Sequence, residues 1–176
     1  MSSSILANID LLTVGTVVAA TFVLGFTTYF SDTRNKTNAF FLLLATVNGL
    51  WGTLNYFGYK ILNQELALLF LRIAMFLAVW QAFFIFKVFS LFPNGQENSP
   101  RIVNIFLWLI AIVTSYITLT NHVLYKIAET LDTGRISKIT NGDLIPLFGL
   151  VSIGFVTAGV IIMAKKTRQS APKERL

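Results

Sequence analysis

Apolar residues in this chain come in long runs rather than in the alternating or one-faced patterns of soluble strands and helices. Five runs stand out, at 11–30, 39–58, 66–92, 102–120 and 144–164. Each holds about twenty residues or more, which an α-helix rising about 1.5 Å per residue needs to cross a hydrocarbon layer about 30 Å thick. Every backbone polar group must be satisfied inside that layer, so runs of this length are read as helices. The pattern predicts an all-α fold: a polytopic membrane bundle of five transmembrane helices within residues 1–164, followed by a basic tail at 165–176.

The gaps between the runs are polar and strongly punctuated. Ser31-Asp32-Thr33-Arg34-Asn35-Lys36 separates the first two, and Asn63-Gln64-Glu65 opens the third. The third closes on Leu91-Phe92-Pro93, after which the stretch from Asn94 to Pro100 cannot continue a helix. Between the fourth and fifth runs, Val123, Tyr125 and Ile127 alternate with more polar neighbours. Asp132-Thr133-Gly134 has turn chemistry, and 136–139 can return as a second strand. A small hairpin is expected there. A short amphipathic helix through Val123, Ile127 and Leu131 uses the same residues.

Composition agrees: 55% of the residues are hydrophobic and 12% charged, too little charge to coat a soluble domain of this size. The net charge of +6 would point a soluble protein toward nucleic acid. Here the Lys and Arg fall in the gaps between apolar runs, so the bilayer is the expected partner and nucleic acid is not. If the helices alternate, Arg34, Lys36, Arg101 with Lys87 near it, Lys165, Lys166, Arg168, Lys173 and Arg175 share one side. The positive-inside rule makes that side cytoplasmic, with the N-terminus and the hairpin outside, as expected of a multi-pass protein of a cell inner (plasma) membrane. No Lys or Arg precedes the first run, so it is read as a retained anchor rather than a secretory leader. With no cysteine, disulfides and thiolate chemistry are excluded.

Candidate chemistry lies within the spans. Asn48, Trp51, Asn55 and Tyr59 recur at spacings of three and four, along one side of the second helix, where Gly49 and Gly52 admit a close neighbour. Such a face serves either as helix-to-helix adhesive or as a pocket lining. Arg72 lies about two turns inside the third run and shares a sector with Phe76, Trp80 and Phe83, while Gln81 points elsewhere. Arg72 either anchors an anionic group or snorkels outward, and Lys87 is expected to snorkel. Asn48, Trp51, Asn55, Arg72 and Gln81 thus form the candidate polar face, and Lys165, Lys166 and Arg168 a basic flank attracted to anionic headgroups. For His122, the single histidine, pH sensing and plain solvation both fit, and it has no companions for a metal site. The carboxylates all fall outside the span centres. No phosphate-binding loop, nucleophile elbow, zinc helix or carboxylate pair occurs, so no catalytic residue, cofactor or metal is expected.

Four stretches carry a likeness: Arg34-Asn35-Lys36-Thr37-Asn38 leading into Phe40-Phe41-Leu42; Asn48-Gly49-Leu50-Trp51-Gly52; Arg72 through Phe92-Pro93; and the hairpin-like insert before the fifth run. In this order the chain resembles the N-terminal seven-helix membrane region of bacterial sensor histidine kinases. The resemblance implies a non-catalytic input module that responds to a small ligand or membrane state and passes helix displacements to a cytoplasmic signalling protein. Where that family has sixth and seventh helices and a kinase core, this sequence has Lys173-Glu174-Arg175-Leu176. The expectation is either a stand-alone relative working through further membrane helices or other partners, or part of a longer chain. Two other readings use the same residues: a small transporter or channel subunit, and a structural protein that forms a homo-oligomer through Gly49 and Gly52.

Overall fold

The computed structural model describes residues 3–58, 61, 63–93, 95–96, 99–130 and 136–170. The elements, in chain order, are α1 (Ser3–Ser31), α2 (Lys36–Gly58), α3 (Gln64–Leu91), α4 (Arg101–Thr118), β1 (Leu124–Thr130), β2 (Ile136–Asn141) and α5 (Ile145–Ser170). All five helices are long and apolar enough to cross a membrane. The chain is a multi-pass membrane protein, and the elements among its described residues are helices apart from one hairpin. Its lipid-facing side inverts the rule for soluble proteins: Leu12, Ile102 and Leu150 are 71%, 81% and 73% exposed.

Each helix boundary has a local cause. Asp32 Oδ1 accepts from the Arg34 amide at 3.1 Å and Asn35 Oδ1 from the Thr37 amide at 2.9 Å, which turns the chain from α1 into α2. Asn63 caps α3, its Oδ1 accepting from the amides of Glu65 and Leu66, and Glu65 places negative charge in the first turn. At the other end of α3, Pro93 follows the last turn and Gly95 takes φ +67°, returning its amide to Leu91 O at 2.9 Å. Hydroxyls enter the apolar layer by bonding backward within their own helix: Thr13, Thr16, Thr21, Thr27, Thr46 and Thr53 each donate to the carbonyl four residues earlier.

Helix α3 is the hub, packing against α2, α4, α5 and β1. Its residues Val79 and Phe83 are fully buried. Around Phe83 the rings of Trp108 and Phe155 stand at 4.6 Å and 5.3 Å, with Trp80, Phe84 and Phe40 filling in behind. Edge-to-face and tilted pairs of this kind add about 0.5–1.5 kcal/mol each beyond the area they bury. Helix α1 lies outside, on α2. A Cβ at Gly25 would come within 2.7 Å of Ala45 Cβ, and one at Gly49 within 2.7 Å of Phe22, so these two glycines set the spacing of the pair.

The hairpin expected between the fourth and fifth helices is present. Strands β1 and β2 are antiparallel, pairing Leu124 with Asn141, Ile127 with Ile139 and Thr130 with Ile136, with irregular steps between. The helical alternative through Val123 and Ile127 does not form. Leu131 and the turn sequence Asp132-Thr133-Gly134 lie outside the described residues, as do Tyr59 and the basic residues Lys173 and Arg175. Helix α5 continues past residue 164 to Ser170, so Lys165, Lys166 and Arg168 sit on its last turns.

Candidate functional site

Polar side chains gather at three levels along α3. At the hairpin end, the Arg72 guanidinium reaches across to the base of β1. Its Nε donates to Leu124 O at 3.2 Å, and Nη2 donates to Leu124 O at 2.8 Å, Tyr125 O at 3.3 Å and Asn121 Oδ1 at 2.5 Å. These partners are neutral oxygens on the neck of the hairpin. Arg72 is therefore neither snorkelling freely nor paired with a carboxylate of the described residues; it ties the hairpin to α3.

The neck is closed from the other side by its own backbone. Gly142 N donates to Val123 O at 2.9 Å and Leu144 N to His122 O at 2.8 Å. A Cβ at Gly142 would run into the His122 carbonyl, which leaves room for glycine alone at that crossing. His122 Nδ1 lies 3.1 Å from Asp143 Oδ1, with both side chains well exposed. The hydrogen bond with His122 holds the Asp143 carboxyl below its ordinary value, helped by the backbone amides of Asp143 and Leu144.

At the middle level Gln81 Nε2 donates to Asn48 Oδ1 at 2.7 Å, joining α3 to α2. A groove of about 330 Å³ opens beside Gln81 between α3 and α5, lined chiefly by Ala78, Ala82, Ile85, Ser152 and Val156. Asn55 does not join this pair: its Nδ2 donates to Trp51 O within α2 at 2.8 Å, and Trp51 itself is partly exposed. The candidate polar face thus divides. Asn48 and Gln81 are together, Arg72 is with the hairpin, and Asn55 and Trp51 stay on their own helix.

The third level is near Pro93. Lys87 was expected to snorkel, yet it is only 2% exposed. Its Nζ donates to Asn104 Oδ1 on α4, and lies 5.9 Å and 5.8 Å from the ring centroids of Phe40 and Phe83. Asn104 and two aromatic faces hold the ammonium inside the bundle because α2 and α4 close over it. Lys166 Nζ, from the end of α5, donates to Phe92 O at 2.6 Å and to the carbonyls of Ser90 and Phe89, which α3 leaves without helical partners at its C-terminus. Lys165 and Arg168, exposed beside it, remain a basic flank.

Sequence reasoning gave no role to Asn104, Asn121 or Ser152. The signal for Asn104 was its isolation: one amide in an otherwise apolar run requires a partner. Among the described residues no group of three or more His, Cys, Asp or Glu side chains gathers to hold a metal ion. Compared with models of known families, with curated proteins and with solved structures, the chain matches none.

Proposed function

We propose that this chain is a non-catalytic sensor or input module of a bacterial plasma membrane, of the type represented by the N-terminal region of histidine kinases. In this reading the hairpin faces outward and the Pro93 end faces the cytoplasm. One observation carries it: α3 is tied by cationic side chains at both ends, to the hairpin through Arg72 and to α5 through Lys166. A displacement of the hairpin passes along α3, a rigid element, to the last turns of α5 and on to a cytoplasmic signalling protein or further membrane helices.

The alternatives draw less support. A transporter or channel needs polar groups strung along a water path, whereas the Asn48–Gln81 and Lys87–Asn104 contacts join helix to helix. Oligomerisation through Gly49 and Gly52 loses its surface, because Phe22 and Val18 of α1 already cover those glycines.

The test uses the absence of native cysteine. Nitroxides on cysteines introduced at the exposed positions Ser99 and Gln169 report the spacing between the start of α4 and the end of α5 in nanodiscs. Arg72→Gln is expected to shift or broaden that distance distribution, measured by pulsed electron resonance. An unchanged distribution, with the hairpin shown to be released, removes the relay.

A further inference from the structure

A hydroxyl on the lipid side of a membrane helix is satisfied when its own backbone accepts from it, as for Thr13, Thr16, Thr21 and Thr27 of α1. The amides of Asn48 and Gln81 are not satisfied in this way. Together they carry four N–H groups and two carbonyl oxygens, and the bond they share is the one hydrogen bond either side chain makes among the described residues. Three N–H groups are left over, whichever way each amide is turned. Asn48 is exposed and Gln81 half-buried.

These amides lie deep. Asn48 stands twelve residues, about 18 Å, along α2 from Lys36, and Gln81 ten residues, about 15 Å, before Leu91 at the end of α3. Both are near the middle of a hydrocarbon layer about 30 Å thick. Thr157, exposed on α5 and twelve residues on from Ile145, adds a hydroxyl in the middle of its own helix. Gln81 and Thr157 both line the groove of about 330 Å³ between α3 and α5, whose remaining walls are mostly small or aliphatic, as at Ala78, Ala82, Ile85 and Val156. The Ser152 hydroxyl is sealed beneath that surface and takes no part.

Depth and lining narrow the occupant. Lipid tails fill an apolar groove but cannot accept from an amide, whereas a transmembrane helix brings aliphatic side chains and polar ones together. A second copy inserted the same way round is related to the first by a two-fold axis along the membrane normal, so each residue meets the other copy at its own depth. The amide level then meets the amide level. Primary amides donate and accept at once and so complement themselves, where a level of like charges would repel its own copy. The apolar surface is self-complementary too: Ile153 and Leu150, 68% and 73% exposed and one turn apart, form a ridge on α5 beside the groove. The same axis sets the ridge of each copy against the groove of the other.

We infer that the α3–α5 groove is the interface of a two-fold symmetric dimer of this chain, closed at mid-membrane by hydrogen bonds between the Asn48–Gln81 pairs of the two copies. This face is separate from Gly49 and Gly52, which α1 covers, and the dimer does not depend on the relay proposed above.

Full chains carrying donor or acceptor dyes on Gln169→Cys are mixed in liposomes and diluted with lipid. Expected is energy transfer that persists at dilutions where random proximity has vanished. Single cysteines report the face: Ile153→Cys is expected to crosslink copy to copy on oxidation, while Val17→Cys on α1 and Leu109→Cys on α4, also near mid-helix and 60% and 52% exposed, are not. Thr157→Trp fills the groove from an exposed position, and Asn48→Leu together with Gln81→Leu removes the amides. Each is expected to weaken association about tenfold or more, with helical circular dichroism unchanged. Transfer that disappears on dilution overturns the dimer. Equal crosslinking from Val17→Cys or Leu109→Cys overturns the face, as does association indifferent to Thr157→Trp, and association indifferent to the double leucine variant overturns the amide closure. In native membranes, a crosslink from Ile153→Cys to a different protein with none between copies also overturns the dimer, because a foreign helix then holds the groove.

Discussion

Replacing Arg72 with Gln removes the guanidinium from the hairpin neck while keeping a polar side chain on α3. The native side chain makes two close contacts, to Leu124 O at 2.8 Å and Asn121 Oδ1 at 2.5 Å, and two longer ones. Hydrogen bonds from a charged donor contribute about 1.5–3 kcal/mol each. Partial solvent access at the neck, and the bonds that Gln can still make, reduce the net loss to about 1–3 kcal/mol. That loss falls on local opening of the hairpin, since the helix contacts of α3 are untouched. Amide exchange at Gly142 and Leu144, whose N–H groups close the neck onto Val123 O and His122 O, should accelerate by about 5- to 150-fold. Hydrogen–deuterium exchange by mass spectrometry on peptides spanning the neck, in nanodiscs, reads this directly, with α1 peptides as the control. Unaltered exchange at the neck would refute the clamp, and equal acceleration in α1 would show general unfolding instead.

Three other outcomes are expected. Gly25→Leu pushes a side chain into Ala45 and should lower the stability of the α1–α2 pair by about 1–3 kcal/mol in thermal unfolding, whereas Gly149→Ala, with open space around it, should change nothing. The carboxyl of Asp143, held below its ordinary pKa chiefly by His122, should titrate in NMR with a midpoint below that of an unstructured aspartate; the stability it lends the neck is full above the unfolded value and is lost as pH falls through the folded one, and His122→Asn should move the midpoint up. Asn104→Leu takes an acceptor from the buried Lys87 ammonium and should cost about 1–3 kcal/mol, measured as a lower unfolding temperature in detergent; an unchanged temperature would show that the other contacts of Lys87 suffice.

The spans were legible because long apolar runs have one use in a membrane, and their ends were legible where a breaker stands, as at Phe92-Pro93 and Asn35. The helical continuation of α5 beyond its apolar run was not legible, because a cluster of basic residues marks the edge of a span and not the end of a helix. Lys and Arg are good helix formers, and Lys166 has carbonyls of α3 to reach, so the helix carries on to Ser170. Pairings were not legible. Gln81 and Asn48 are 33 positions apart on different helices, and no spacing rule within one helix connects them. Arg72 was recognised as unusual, but backbone carbonyls have no signature in sequence, so its partners on β1 could not be named. Lys87 was misread for a related reason: its distance from the end of its own helix was visible, the closure of α2 and α4 over it was not.

The burial of Lys87 bears on how the chain is made. One acceptor, Asn104, follows 17 residues later, on a helix that emerges from the ribosome after α3. During membrane insertion the ammonium must wait near the translocon or the bilayer surface until α4 arrives, so α3 settles to its final depth only in company with α4. A chain stopped before Arg101 should accordingly leave α3 shallower than it sits in the finished protein, with biogenesis proceeding by pairs of helices rather than one at a time.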